Sequence, residues 1–343
     1  LLEKYKNLVP YVPGEQPKDQ QYIKLNTNES PFSPCPAVMK AIENEVPKLK
    51  LYSDPECKKM RVKLAEVYNV NENQIMLGSG SDEILNYVIM AFAKELVFPD
   101  ITYGFYKVFA DVNNVPYTTI PLKEDFTIGI NDYVCSGKMI VIANPNAPTG
   151  IALSLDKVEA IIKANPTSIV MIDEAYVDFG GESSVPLVKK YKNLVVTQTF
   201  SKSRFMAGAR LGFCIADEEL IKDLNTLRYS ISPYNVNSMT LAAGIATLEN
   251  EDYTKAKCKE IMENRTYLTK ELESLGFEVL PSTTNFVFAK CSKVSGETLY
   301  LTLKEKGILV RHFKQERIKE YVRITIGIKE NMDALLKAIK EII

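Results

Sequence analysis

Four clusters of chemically capable residues punctuate this chain. Lys202 ends the run Gln198-Thr-Phe-Ser-Lys202, and Arg210 follows eight residues later. Asp173-Glu-Ala-Tyr176 offers a carboxylate and a phenol. Asn144-Pro-Asn-Ala-Pro-Thr-Gly150 is rich in turn formers, and Leu77-Gly-Ser-Gly-Ser-Asp82 reads as a glycine turn opening a helix. Taken singly, each is weak. A lysine after a serine is usually solvated, and a Gly-x-Gly before a helix is usually only a turn. Three of the clusters, however, directly follow short apolar runs. Ligands in open α/β sheets bind outside the carboxyl ends of the strands. Four such clusters at one edge of one sheet are hard to explain as packing.

The elements that must position them follow from the apolar pattern. Met139-Ile-Val-Ile-Ala143, Ile169-Val-Met-Ile172, Leu194-Val-Val-Thr197 and Leu211-Gly-Phe-Cys-Ile215 are continuous rather than alternating, as strands covered on both faces are. Amphipathic helices are expected over 36–46, 58–68 and 81–93. The last meets the strand-like Leu96-Val-Phe98 across only Lys94 and Glu95. Residues 154–164 read as a helix with Ser154 as N-cap, and 217–227 as one with acids in its first turn. The alternation predicts an α/β fold with a mostly parallel central sheet. After about 235 the rhythm changes to long helices over 237–248 and 252–274, the second stopped by Gly276. Strands at 277–280, 285–289 and 321–326 and helices at 296–305 and 330–342 predict a smaller α+β domain. Prolines 10, 13, 17, 31 and 34 make 1–34 an arm. The division expected is therefore arm 1–34, large domain 35–235 and small domain 236–343, the last packing with the arm.

The chain has 343 residues, which at roughly 150 per domain suggests two domains. Lys plus Arg number 42 and Asp plus Glu 43, a formal net charge of −1, so no basic nucleic-acid footprint is expected. No apolar run reaches the roughly 18 residues of a membrane span, and Leu1–Pro13 shows no apolar leader core. One histidine, His312, excludes chemistry built on several imidazoles. It stands without a visible relay partner and is read as structural. The six cysteines at 35, 57, 135, 214, 258 and 291 form no C-x-x-C pair, so no metal site is expected. Reduced, buried thiols point to the cytoplasm.

The clusters together give the chain its resemblance. From Leu25-Asn-Thr-Asn-Glu-Ser-Pro-Phe32 through Tyr52-Ser-Asp-Pro55 and Thr199-Phe-Ser-Lys202 with Ala207-Gly208 and Arg210 to Val322-Arg-Ile-Thr-Ile-Gly327, it resembles the fold-type I, pyridoxal-phosphate-dependent aminotransferases. The resemblance implies pyridoxal 5′-phosphate as cofactor. Lys202 would join its aldehyde, since an amine nucleophile must act as the neutral base. Asp173 would pair with the ring nitrogen; otherwise it is a helix cap or loop acid. Tyr176 would donate to the phenolic oxygen; otherwise it is a core tyrosine. The backbone N–H groups of Gly80, Ser81 and Asp82 would hold the phosphate at a helix start. Thr199 and Ser201 would add hydroxyls, and Arg210 a charged fork. Tyr103 would stack on the ring or fill the core. One position departs from the family's usual Asn-Pro-Thr-Gly: Ala147 stands where an asparagine donor is usual. Either Tyr176 acts alone there or Asn146 reaches in.

For the substrates, the resemblance implies histidinol phosphate and glutamate or 2-oxoglutarate, exchanging an amino group in histidine biosynthesis. Arg323 would bind the acidic end of either, and Arg311 would add charge for the phosphate. Tyr52 would reach the cofactor phosphate of a neighbouring copy in a homodimer with shared sites. Tyr11 and Asn28, on the arm, would either close over the substrate or simply dock the arm. Two other readings stay open: an aromatic amino acid transaminase or threonine-phosphate decarboxylase, and a non-enzymatic regulator or scaffold. Lys202 and Asp173 argue against the last.

Overall fold

The computed structural model describes residues 1–6, 8–134 and 137–343. Cys135 lies outside them; Cys35, Cys57, Cys214, Cys258 and Cys291 are buried free thiols. Among the described residues the helices are α1 (Pro36–Glu45), α2 (Lys58–Tyr68), α3 (Ser81–Phe92), α4 (Phe105–Val112), α5 (Leu155–Ala164), α6 (Glu218–Ile231), α7 (Ser238–Glu249), α8 (Glu251–Ser274), α9 (Gly296–Glu305) and α10 (Lys329–Lys340). The strands are β1 (Ile23–Lys24), β2 (Ile75–Gly78), β3 (Leu96–Pro99), β4 (Tyr117–Ile120), β5 (Met139–Ala143), β6 (Val170–Asp173), β7 (Leu194–Thr199) and β8 (Gly212–Ala216). They continue with β9 (Phe277–Val279), β10 (Phe286–Cys291), β11 (Ile308–Leu309), β12 (Arg311–His312) and β13 (Val322–Thr325).

Seven strands form one sheet in the order β2-β8-β7-β6-β5-β3-β4. Every neighbouring pair from β7 to β4 is parallel, and β8 runs against both β7 and β2. All residues of β5, β6, β7 and β8 are buried, because successive side chains enter two different cores. Ile140, Ile142, Ile172 and Val196 join one, with Met60, Leu64 and Ile161 from α2 and α5. Met139, Val141, Met171 and Val195 join the other, with Leu85, Tyr106 and Leu224 from α3, α4 and α6. Helices on both faces thus produce the continuous apolar runs. A second, antiparallel sheet, β12-β13-β10-β9, packs on α8, α9 and α10 through Leu268, Leu299 and Leu335.

Three details differ from the sequence reading. Ser154 precedes α5 but makes no capping bond to its backbone; its hydroxyl bonds the Asp156 carboxylate instead. Helix α6 runs on to Ile231. Helix α7 lies against α1 and α2, and its Leu241, Ala243, Ala246 and Leu248 belong to the core under the seven-stranded sheet. We propose Asn250, between α7 and α8, as the boundary between the large and small units, in place of 235.

The arm carries little regular structure. Its β1 lies parallel to β11, and Thr325 N–H donates to Leu25 O, so residues 23–28 belong with the small sheet. Among the described residues no helix is long and apolar enough to cross a membrane.

Candidate active site

The carboxyl ends of β5, β6 and β7 and the start of α3 surround one cavity holding about 550 Å³ of empty space, part of it open to solvent. Ser81, Asp82, Tyr103, Asp173, Tyr176, Thr199, Ser201, Lys202 and Arg210 all line it. The structure therefore gathers most of the chemically capable residues from four separate segments.

Asp173 ends β6 at the floor and is 4% exposed. Its Oδ2 accepts the Tyr106 hydroxyl at 2.8 Å and its Oδ1 the Ala175 N–H at 3.2 Å. Burial pushes this carboxyl up to about 6, against the pull of those two donors. Tyr106 is fully buried, so its phenol stays neutral: burial first, then the Asp173 charge, raises it well above its usual value. The sequence reading missed this partner. Its signal was slight, a second tyrosine three residues after Tyr103, one helical turn on.

Lys202 is half-buried, with Nζ 5.8 Å from the Tyr176 ring centroid. Among the described residues its amine has no ion-pair partner. The Tyr176 oxygen accepts Asn28 Nδ2 at 2.9 Å.

At the opposite end, Gly80 caps α3 with φ 82°, so Ser81 and Asp82 begin the helix at the cavity wall. A Cβ on Gly80 would meet Arg210 Nη2 at 2.5 Å, so only glycine leaves this approach open. Arg210 Nη2 donates to Asp82 Oδ2 at 2.9 Å, and Asp82 Oδ1 accepts the Tyr103 hydroxyl at 2.9 Å. Burial and the Asp82 charge both raise the Tyr103 phenol. Thr199 Oγ1 donates to Ser201 Oγ at 2.9 Å. Helix-start N–H groups, two hydroxyls and a guanidinium form an anion cradle.

Several expected residues sit elsewhere. Asn146 does not line the cavity: its Nδ2 donates to Ile101 O and Thr149 Oγ1, and its Oδ1 accepts Thr102 Oγ1. The loop itself takes up this amide, and Ala143, Pro145, Ala147 and Ala175 leave that wall without a side-chain donor. Asn28 is 1% exposed, and its bonds to Thr325 and Tyr176 tie the arm to β13 and to the cavity wall. Arg311 commits Nη1 and Nη2 to the arm carbonyls of Pro13 and Val12, at 3.4 and 3.2 Å. Tyr11 stacks on Phe105, with centroids 4.1 Å apart, and lies 6.5 Å from Tyr103. Tyr52 is 83% exposed and stacks on Tyr234, and neither ring lines this cavity. His312 Nε2 bonds Lys319 O at 2.7 Å, a structural contact.

Among the described residues Arg323 has no carboxylate partner. Nη2 donates to Asn26 O at 2.9 Å, while Nε is buried without a partner. Desolvation pulls its pKa down, and Tyr176, Tyr11 and Tyr103 are near enough to act on its charge. A guanidinium held this way, between the Phe286 and Phe313 rings, suits an incoming anion.

An amine, a buried acid and an anion cradle in one parallel-sheet cavity could together hold a phosphorylated cofactor for group transfer. The chain belongs to the aminotransferase class I and II family, whose model matches residues 20–339. Its relatives carry a narrower name. The "Histidinol-phosphate aminotransferase" of Brachyspira hyodysenteriae is 49% identical over 100% of this chain and 98% of its own. That of Marinomonas sp. is 48% identical over 98% of each. The solved histidinol-phosphate aminotransferase of Sinorhizobium meliloti, in complex with pyridoxal-5′-phosphate, shares the fold. Its TM-score is 0.86 at 23% identity, covering 94% of this chain and 93% of that one.

Proposed function

We infer that the chain transfers an amino group between L-histidinol phosphate and 2-oxoglutarate, in histidine biosynthesis, with pyridoxal 5′-phosphate as its cofactor. The observation that carries the reading is the convergence of Lys202, Asp173 and the Arg210 cradle on one cavity. These donors fit the cofactor: the cradle would take its phosphate, Asp173 its ring nitrogen, Tyr176 its phenolic oxygen and Lys202 its aldehyde. Once bound, the group supplies an electron sink for the pair released at the substrate carbon.

The chain's own residues do the rest. Lys202, whose amine lies at the cavity, would take the proton from the substrate's amino-bearing carbon. Asp173 would hold the ring nitrogen protonated, which a buried carboxylate is suited to do; among the described residues it has no ion-pair partner, although the Lys202 charge is near enough to act on it. Tyr106 keeps that carboxylate turned to the cavity. Tyr103 would cover the ring face, and Tyr11 on the arm would help exclude water.

Arg323 would bind the phosphate of one donor and the carboxylate of the other. Replacing Arg323 by Ala is expected to raise KM for both by at least about a hundredfold, from losing two charge-assisted hydrogen bonds of roughly 1.5–3 kcal/mol each. Steady-state kinetics with each substrate check this. An increase confined to one of them would show that Arg323 does not serve both.

Tyr52 of a second copy would complete the phosphate site. In support, segments 49–55 and 228–234 are tied by the Tyr52–Tyr234 stack and an Arg228–Pro55 hydrogen bond. They expose Leu49, Leu51, Tyr229 and Ile231, an apolar face of the kind a homodimer buries. The buried free thiols favour a reducing, cytoplasmic setting.

The test is the half-reaction of the cofactor-loaded protein, read by absorbance, with histidinol phosphate set beside phenylalanine, tyrosine and threonine phosphate. Rapid conversion with histidinol phosphate is expected. Faster conversion with an aromatic amino acid, or CO2 release from threonine phosphate, would overturn the substrate assignment.

A further inference from the structure

Between β13 and the cavity lies a hydrogen-bond chain that begins in the small unit and ends on Tyr176. Strand β13 carries Arg323 and Thr325 two residues apart, on one face. Both clasp the arm: Arg323 Nη2 donates to Asn26 O at 2.9 Å, and the Asn28 N–H donates to Thr325 Oγ1 at 3.0 Å. Asn285 Nδ2, just before β10, donates to Asn28 O at 3.0 Å. Asn28 itself sits at φ 56°, in the left-handed region that asparagine tolerates better than most residues.

These partners fix which way the Asn28 carboxamide faces. Thr325 Oγ1 accepts the Asn28 backbone N–H, and its own proton goes to Asn28 Oδ1 at 3.0 Å. The amide oxygen is therefore turned to Thr325, and the amide nitrogen to Tyr176 at 2.9 Å. An amide nitrogen only donates. The Tyr176 oxygen must accept, which leaves its O–H proton free for the cavity. The facing wall of Ala143, Pro145, Ala147 and Ala175 offers no competing side-chain donor.

We propose that Asn28 is a positioning residue: its carboxamide, oriented by Thr325, directs the Tyr176 hydroxyl proton into the cavity and ties that proton's direction to the small unit. The proposal rests on the cofactor reading above, in which this hydroxyl serves the phenolic oxygen. The other titratable side chains near Tyr176 are Lys202, on the loop after β7 and 5.8 Å from its ring centroid, and Arg323 of β13 and Tyr106 of α4, on both of which Tyr176 acts. None is altered in the test.

A hydroxyl donated to the phenolic oxygen lowers the proton affinity of the nitrogen next to it, so its loss raises the pH midpoint of the cofactor absorbance. In the loaded protein, Tyr176→Phe is expected to raise that midpoint by about one pH unit. Asn28→Gly keeps the left-handed backbone but lacks the amide, and should give at least half that rise. Asn28→Asp should match Tyr176→Phe, because a carboxylate draws the phenol proton to itself. Thr325→Val, which releases the carboxamide, should give a smaller rise. The double variant Asn28→Gly/Tyr176→Phe should titrate like Tyr176→Phe alone. Urea unfolding of each cofactor-free variant runs alongside. Asn28 variants that lose stability yet keep the wild-type absorbance midpoint overturn the proposal, as do shifts that add to that of Tyr176→Phe. If Tyr176→Phe leaves the midpoint in place, the role given to Tyr176 in the cofactor reading falls, and the proposal falls with it.

Discussion

Replacing Lys202 by Ala is expected to reduce turnover by at least about 10⁴-fold while the protein stays folded. Two functions leave with one amine: the covalent hold on the cofactor and proton transfer at the substrate carbon. General acid–base catalysis alone is worth about 10² to 10⁴, and nucleophilic catalysis adds to it. The structural cost is small for a definable reason. Among the described residues Lys202 has no ion-pair partner, and its amine lies over the Tyr176 ring only at 5.8 Å. Buried groups nearby keep their own partners, Asp173 with Tyr106 and Tyr176 with Asn28. The variant should therefore unfold in urea near the wild-type midpoint without cofactor, and lose the absorbance band that depends on covalent attachment. Turnover within a hundredfold of wild type would remove Lys202 from the chemistry.

What could be read from the chain before its fold was known follows a physical divide. Strands covered on both faces write their burial into contiguous sequence, so β5, β6 and β7 were legible almost to the residue. Helix ends with local signals were too: Gly276, at φ 90°, follows α8. The residues just after those strands could then be collected as one site. What stayed hidden depends on partners distant in sequence. Helix α7 is apolar on most sides, and nothing local states which of two cores it enters. Asn146, Asn28 and Arg311 each have the right chemistry for a ligand, yet the loop, Thr325 and the arm carbonyls take up their polar atoms. Tyr106 gave only a slight signal of its own and none of its partner's identity, since Asp173 lies 67 residues away.

Asp173→Asn sharpens the account, because its two effects have opposite signs. In the loaded protein the variant should lose about 10³ in kcat, since breaking a buried charge pair costs roughly 3–5 kcal/mol and the ring nitrogen no longer has an anion to keep it protonated. Without cofactor the same charge is a burden. Burial raises the Asp173 carboxyl from 3.8 to about 6. Between those values the native state binds more protons than the unfolded chain, so stability falls as pH rises from about 4 through 6, and the penalty is complete above that. A shift of this size is at most about 3 kcal/mol. Asparagine has no such titration. Glu174, which burial likewise raises to about 7, is common to both proteins and cancels in the difference. The amide also keeps only one of the two acceptor oxygens to which Tyr106 and Ala175 donate, but that loss does not vary with pH. Urea unfolding of the cofactor-free proteins at pH 4, 6 and 8 should therefore show the stability of Asp173→Asn improving against wild type as pH rises. With cofactor added at pH 8 the gain should vanish or reverse, because in the wild type the buried carboxylate then has its cation. Parallel pH profiles for the two cofactor-free proteins would mean that Asp173 is ionised without strain, and the case for its holding a protonated ring nitrogen would lose its electrostatic basis.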